Sequence, residues 1–147
     1  MIDRDLALAK VESLDRCLAR IAAVRSETNA TLRAIDVQDI TVLNLQRAVQ
    51  AMIDLAAHVV ASEALGTPDS LGASFTLLER AGILDGELAE RMRRMTGFRN
   101  VAVHEYRKLD PAVLEAIVRE RLGDLRAFAG RILERAGIAP GEARQPS

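Results

Sequence analysis

The chain has 147 residues with one cysteine, one tyrosine and no tryptophan, and aromatics make up 3% of it. A single cysteine, Cys17, excludes an intrachain disulfide and fits a reducing, cytoplasmic setting. So few rings exclude a stacking platform for single-stranded nucleic acid, which needs several exposed aromatic faces. Charges interrupt every apolar run before it reaches bilayer length, so neither a spanning helix nor a membrane partner is expected. The opening MIDRDLALAK carries charges where a secretion signal would have its apolar stretch. No cluster of carboxylates, histidines or cysteines has metal-site spacing, so neither a metal nor a cofactor is expected.

What is abundant is Ala, Leu and Arg, a composition that favours helix over sheet. The length suits one domain, expected over 1–137, with 138–147 as a disordered tail. Hydrophobic periodicity predicts five helices in an all-α antiparallel bundle. The first runs from Asp3 into the twenties, and a polar turn is expected over Thr28 to Gln38. The second, Asp39 to Leu65, is apolar on more than one face and should be central, ending at Gly66-Thr67-Pro68. A short third helix, about Ser70 to Ala81, closes at Gly82. Asp85 should cap the fourth, and Asp110 with Pro111 should open a fifth that runs to about Gly137.

Net charge is −1, but unevenly spread. From Arg91 to Lys108 there are six positives (Arg91, Arg93, Arg94, Arg99, Arg107, Lys108) against one negative, Glu105, a net of +5 that leaves −6 for the remainder. Such a strip fits a phosphate-bearing partner, and it fits equally well a solvated face of Arg/Glu pairs.

Within that strip lies Gly97-Phe98-Arg99-Asn100-Val101-Ala102-Val103-His104-Glu105-Tyr106. Histidine moves protons near neutral pH, and the planar fork of arginine binds phosphate oxygens at constant charge. Together they suit RNA cleavage in which the 2′-hydroxyl attacks its own phosphodiester and no metal is required. Arg99 and His104 diverge by roughly 140° on an ideal helix. A helix ending near His104, an arginine reaching over, or two copies meeting would each reunite them. An extended segment after His104 would put Tyr106 on the same side. Simpler roles stand beside these: Arg99 pairing with Glu105 or another acid, His104 as a cation at a helix C-terminus, and Tyr106 packing its ring on the bundle. His58 shares a face with Asp54 four residues earlier and is expected to be held by a carboxylate or to make a dimer contact, Met92 and Met95 to fill the core or an interface, and Cys17 to be inert.

Arg99 with four intervening residues before His104, and Tyr106 two further on, resembles the HepT-like branch of the HEPN ribonucleases. Asn44-Leu45-Gln46-Arg47-Ala48-Val49, Asp54 with His58, Pro68-Asp69-Ser70 and Gly82-Ile83-Leu84 extend the likeness over roughly residues 3 to 135. The resemblance implies an endoribonuclease toxin acting as a symmetric homodimer, whose two motifs form one cleft for RNA. Arg99 would stabilise the phosphate, His104 serve as general acid/base, and Asn100 orient one of them. The products would be a 2′,3′-cyclic phosphate and a 5′-hydroxyl. It also implies an MntA-like minimal nucleotidyltransferase antitoxin that transfers AMP to Tyr106. Arg91, Arg93, Arg94, Arg107 and Lys108 are candidates for contacting RNA or antitoxin. The rival reading is a non-catalytic module that binds the transferase and presents Tyr106 to it.

Overall fold

In the computed structural model, which describes residues 1–26 and 33–139, every regular element is helical. Six α-helices occur among the described residues: α1 (Arg4–Ser26), α2 (Ala34–Ser62), α3 (Ala73–Arg80), α4 (Gly86–His104), α5 (Pro111–Glu120) and α6 (Leu122–Arg135). A 3₁₀ turn, Tyr106–Lys108, follows α4. The antiparallel pair α1–α2 forms the main packing surface, and α3, α4 and α6 also lean on α2. That central place explains why α2 buries residues on several sides, among them Val42, Leu45, Val49, Met52, Leu55 and Val59.

Three expectations need correction. First, α2 begins at Ala34, not Asp39, so 34–38 belong to the helix and the expected turn shrinks. Asp36 supplies the missing start signal: its Oδ2 accepts from the Arg33 backbone N–H at 3.2 Å, satisfying an N-terminal donor. The first turn, Ala34 to Val37, is exposed or half-buried even at Ile35 and Val37, so its apolar residues do not extend the buried stripe that marks the rest of the helix. Residues 28–32 of that expected turn, and 140–147 of the expected tail, lie outside the described residues.

Second, the expected fifth helix is two. The chain breaks at Arg121 (φ −117°), and Asp124 then donates its backbone N–H to the Arg121 carbonyl at 3.1 Å. Only Leu114 is buried on α5, whereas α6 buries Leu125, Phe128, Ala129, Ile132 and Leu133, so the two segments pack at different depths. Third, packing continues past 137, because Ile138 is 3% exposed and its N–H donates to the Leu133 carbonyl.

The other stops lie close to their sequence signals. Gly82, at φ +77°, ends α3, and the Ile83 N–H reaches back to the Leu78 carbonyl at 3.0 Å. The α2 terminus comes earlier than Gly66: Ala64 takes the left-handed conformation (φ +53°), and the Leu65 N–H bonds the Val60 carbonyl. An alanine there costs about 1–2 kcal/mol relative to a relaxed residue. The core is sealed by Phe75 on α3 and Phe128 on α6, both fully buried, edge to face with centroids 5.3 Å apart.

Candidate functional site

The candidate site lies where α4 stops. Asp85 opens this helix, accepting the Leu88 N–H at 2.8 Å. Leu88, Ala89, Met92, Met95, Thr96, Phe98 and Ala102 fix it against the bundle. The opposite stripe, Gly97, Asn100, Val101 and His104, is exposed. These positions recur at helical spacing, so Asn100 and His104 are i, i+4 neighbours with Cβ atoms about 5–6 Å apart.

Arg99 is half-buried beside that stripe, and its Nη1 donates to Asn100 Oδ1 at 3.2 Å. The guanidinium is thus held by Asn100, the residue that shares a face with His104, an arrangement compatible with an arginine reaching over and with two copies meeting. No carboxylate pairs with Arg99 among the described residues, so its simpler role, pairing with Glu105 or another acid, is not seen; Glu105 faces Lys108 at 3.6 Å instead. The His104 side chain makes no hydrogen bond or ion pair among the described residues. An unpaired guanidinium, an amide holding it and an accessible imidazole can bind a phosphate and move protons beside it.

The chain does not run extended after His104, as the side-sharing of His104 and Tyr106 required. Glu105 (φ −138°, ψ 47°) sends its N–H back to the Val101 carbonyl at 2.8 Å, and the 3₁₀ turn follows. Buried Leu109 anchors the exit, and Asp110 caps α5 by accepting the Ala112 N–H at 2.8 Å. The turn carries Tyr106 across to α2, where its hydroxyl donates to Asp39 Oδ1. Asp39 is the residue that sequence reasoning missed; it had served only to mark a helix start.

The basic strip divides. Arg91 pairs with Glu87 (2.5 Å) and Asp124 (3.3 Å), Arg93 with Glu79 and Glu90 (both 3.0 Å), and Arg94 with Glu90 (3.3 Å). These three are therefore largely neutralised by carboxylates and lie on the earlier turns of α4, away from its end. Arg107 and Lys108 stay exposed in the 3₁₀ turn, Lys108 with Glu105 opposite it at 3.6 Å, so Arg107 is the strip's charge beside the motif, besides Arg99, with no carboxylate partner among the described residues. His58 is not held by Asp54. Asp54 accepts from Lys10 and Gln50, while His58 Nε2 accepts the Asp3 N–H at 3.0 Å and meets Ser62 Oγ at 3.2 Å. Both residues thereby tie α1 and its entry to α2.

The bond to Asp39, with partial burial and the nearby negative charge, holds the Tyr106 phenol above its ordinary pKa, while Gln38 pulls the other way. The neutral phenol is the form that the contact stabilises. Its contribution to stability is therefore full below about pH 10 and fades as pH rises through the higher folded value. Following the tyrosine ring NMR signals against pH should give a midpoint above that of a free tyrosine. In Asp39→Asn the midpoint should fall back toward it, and an unchanged midpoint would show that the contact is not formed in solution.

No helix among the described residues is long and apolar enough to cross a membrane, and none of their His, Cys, Asp and Glu side chains form a metal-holding group of three or more. Comparison with known proteins gives a consistent set of relatives. Residues 14–132 match the HepT-like family, ribonuclease HepT-like. The chain is 34% identical to an mRNA nuclease HepT of Shewanella oneidensis over 124 residues, 84% of this chain and 93% of that one. It is 35% identical to a tRNA nuclease HepT of Aphanizomenon flos-aquae over 80 residues, 54% of each. The fold matches the tri-AMPylated Shewanella oneidensis HEPN toxin in complex with MNT antitoxin at TM-score 0.83 and 32% identity, covering 90% of this chain and 99% of that one.

Proposed function

Because the chain belongs to the HepT-like ribonuclease family, we propose that it is the nuclease toxin of a toxin–antitoxin pair, an endoribonuclease that a nucleotidyltransferase antitoxin silences by placing AMP on Tyr106. The observation that carries this reading is the exposed end of α4, where Arg99 is tied to Asn100 and has no carboxylate partner among the described residues, and where Asn100 shares a face with the exposed His104. Relatives named as mRNA and tRNA nucleases, and an AMPylated toxin held by its antitoxin, support the class of activity and of partner.

In this mechanism the RNA 2′-hydroxyl attacks phosphorus while His104 takes its proton. Arg99 binds a non-bridging oxygen and offsets the charge that builds on the phosphorane. The bond to the 5′-oxygen breaks, leaving a 2′,3′-cyclic phosphate and, once that oxygen is protonated, a 5′-hydroxyl. One imidazole cannot be base and acid in the same step, so a second copy of the chain would supply the second. The exposed stripe of α4 suits that arrangement. Gly97 costs a helix about 1 kcal/mol relative to alanine, yet a Cβ there would meet nothing within 4 Å, and Val101 beside it is 38% exposed. A glycine with open space over it lets another helix approach closely, which would bring two motifs together.

Co-expression with the nucleotidyltransferase, followed by intact mass, tests the reading. Wild type should lose its toxicity and gain mass in whole AMP units, whereas Tyr106→Phe should gain none. An adduct that persists in Tyr106→Phe removes the tyrosine from its role. A folded, unmodified wild type that leaves RNA intact would make the chain a module that binds the transferase without cutting.

A further inference from the structure

Tyr106 does not stand clear of the fold. Its hydroxyl donates to Asp39 on the early turns of α2, 67 residues away in sequence, with Gln38 alongside. Neither residue belongs to the core, and both are exposed enough for a docked protein to reach. Asp39 takes part in no ion pair among the described residues; its charge is felt by Arg33, and its hydrogen bond is with the phenol. A neutral phenol is a weak nucleophile and must shed its proton as it attacks. A base for that step has to lie within hydrogen-bond reach of the proton, and Asp39 already does.

We propose that Asp39 is a catalytic residue for the modification of this chain, orienting the Tyr106 hydroxyl and accepting its proton as the oxygen attacks the α-phosphorus of ATP. The proposal rests on the reading of Tyr106 as the AMP acceptor. The transferase holds the nucleotide and its magnesium. A bond forms between Tyr106 Oη and the α-phosphorus, and the bond from that phosphorus to the bridging oxygen of the β-phosphate breaks. Pyrophosphate leaves with the electron pair, and the phenolic proton passes to Asp39 Oδ1 and on to water. The target thus carries its own base, and the antitoxin supplies nucleotide, metal and alignment. Once the ester has formed, no hydrogen remains for Asp39 to accept, and a phosphate anion faces its carboxylate. The modified side chain must then leave α2.

The test measures the rate of the first AMP addition by intact mass, using the full-length chain, its nucleotidyltransferase, ATP and magnesium. Asp39→Asn keeps the size and an acceptor oxygen but removes the base. At saturating transferase it should lower kcat by about 100-fold or more, with KM for ATP unchanged, and Asp39→Glu should recover part of the loss. Asp39→Asn within about threefold of wild type, a small change on the scale of general-base catalysis, overturns the proposal. So does a raised KM for this chain at unchanged kcat, the signature of docking alone. Thermal melting of each variant separates loss of fold from loss of chemistry. Tyr106→Phe run in parallel tells the two ideas apart. If it is still modified, the acceptor reading fails. If it is inert while Asp39→Asn reacts normally, only the role of Asp39 fails.

Discussion

Replacing His104 with alanine is expected to abolish RNA cleavage and leave the fold intact. The side chain is exposed on the last residue of α4 and makes no hydrogen bond or ion pair among the described residues, so its removal opens no cavity and orphans no buried group. At most it gives up the interaction of a protonated ring with a helix C-terminus, typically about 0.3–1 kcal/mol and so about a tenth of a domain's stability. Proton transfer by a positioned side chain, by contrast, accounts for about 10²–10⁴ in rate. Arg99→Ala should cost about 10²–10³ through the lost stabilisation of the phosphorane. The double variant should lose little more than the worse single one, because the two groups act on one transition state. Single-turnover cleavage of an end-labelled RNA, with a thermal melt of each variant, provides the measurement. Cleavage at the wild-type rate by folded His104→Ala would remove the histidine from the mechanism.

The largest loss of stability is expected at Phe75. Its ring is fully buried between α3 and α6, edge to face with Phe128, and α3 is only eight residues long. A helix that short does not persist alone in water, so its register depends on what it packs against. Phe75→Ala should cost about 3–5 kcal/mol, a large share of the 5–15 kcal/mol that holds a typical domain. Phe128→Ala should fall in the same range. A double-mutant cycle should then give an interaction of about 0.5–1.5 kcal/mol for the ring pair. Urea denaturation followed by circular dichroism measures all three, and a loss under 1 kcal/mol for Phe75→Ala would mean that α3 is not clamped in this way.

Much of the fold was legible because the signals were local. Asp85, Asp110-Pro111 and Gly82 act on the residues beside them, and each does what its chemistry predicts. The break at Arg121 was not legible. Leu114, Ile117, Val118, Leu122, Leu125 and Phe128 keep helical spacing straight through it, so periodicity reads one helix where there are two. At the site, the stop at His104 and the linking of Arg99 to Asn100 follow from a short stretch of chain. Asp39 does not, because its role arises only when the 3₁₀ turn folds back over α2. The same limit applies to Asp54 and His58. Their i, i+4 spacing puts them side by side, but Lys10 and the Asp3 N–H, both from the α1 side, take up their polar atoms. The positive strip misled in a similar way. A strip that starts at Arg91 leaves out Glu87 and Glu90, one turn earlier on α4, and these, with Glu79 on α3 and Asp124 on α6, neutralise charges that look free in a linear count.

The scarcity of aromatic residues has an optical consequence. With one tyrosine and no tryptophan, the near-ultraviolet emission of this chain comes almost wholly from Tyr106. A phenol bonded to a carboxylate loses excitation to its neighbour, and a phenyl ester emits differently again. Adenylation would therefore change the wavelength and yield of emission from the protein's single tyrosine, at the atom where the chemistry occurs. The passage from armed to silenced could then be watched continuously and without a label, as a change in the light from one side chain.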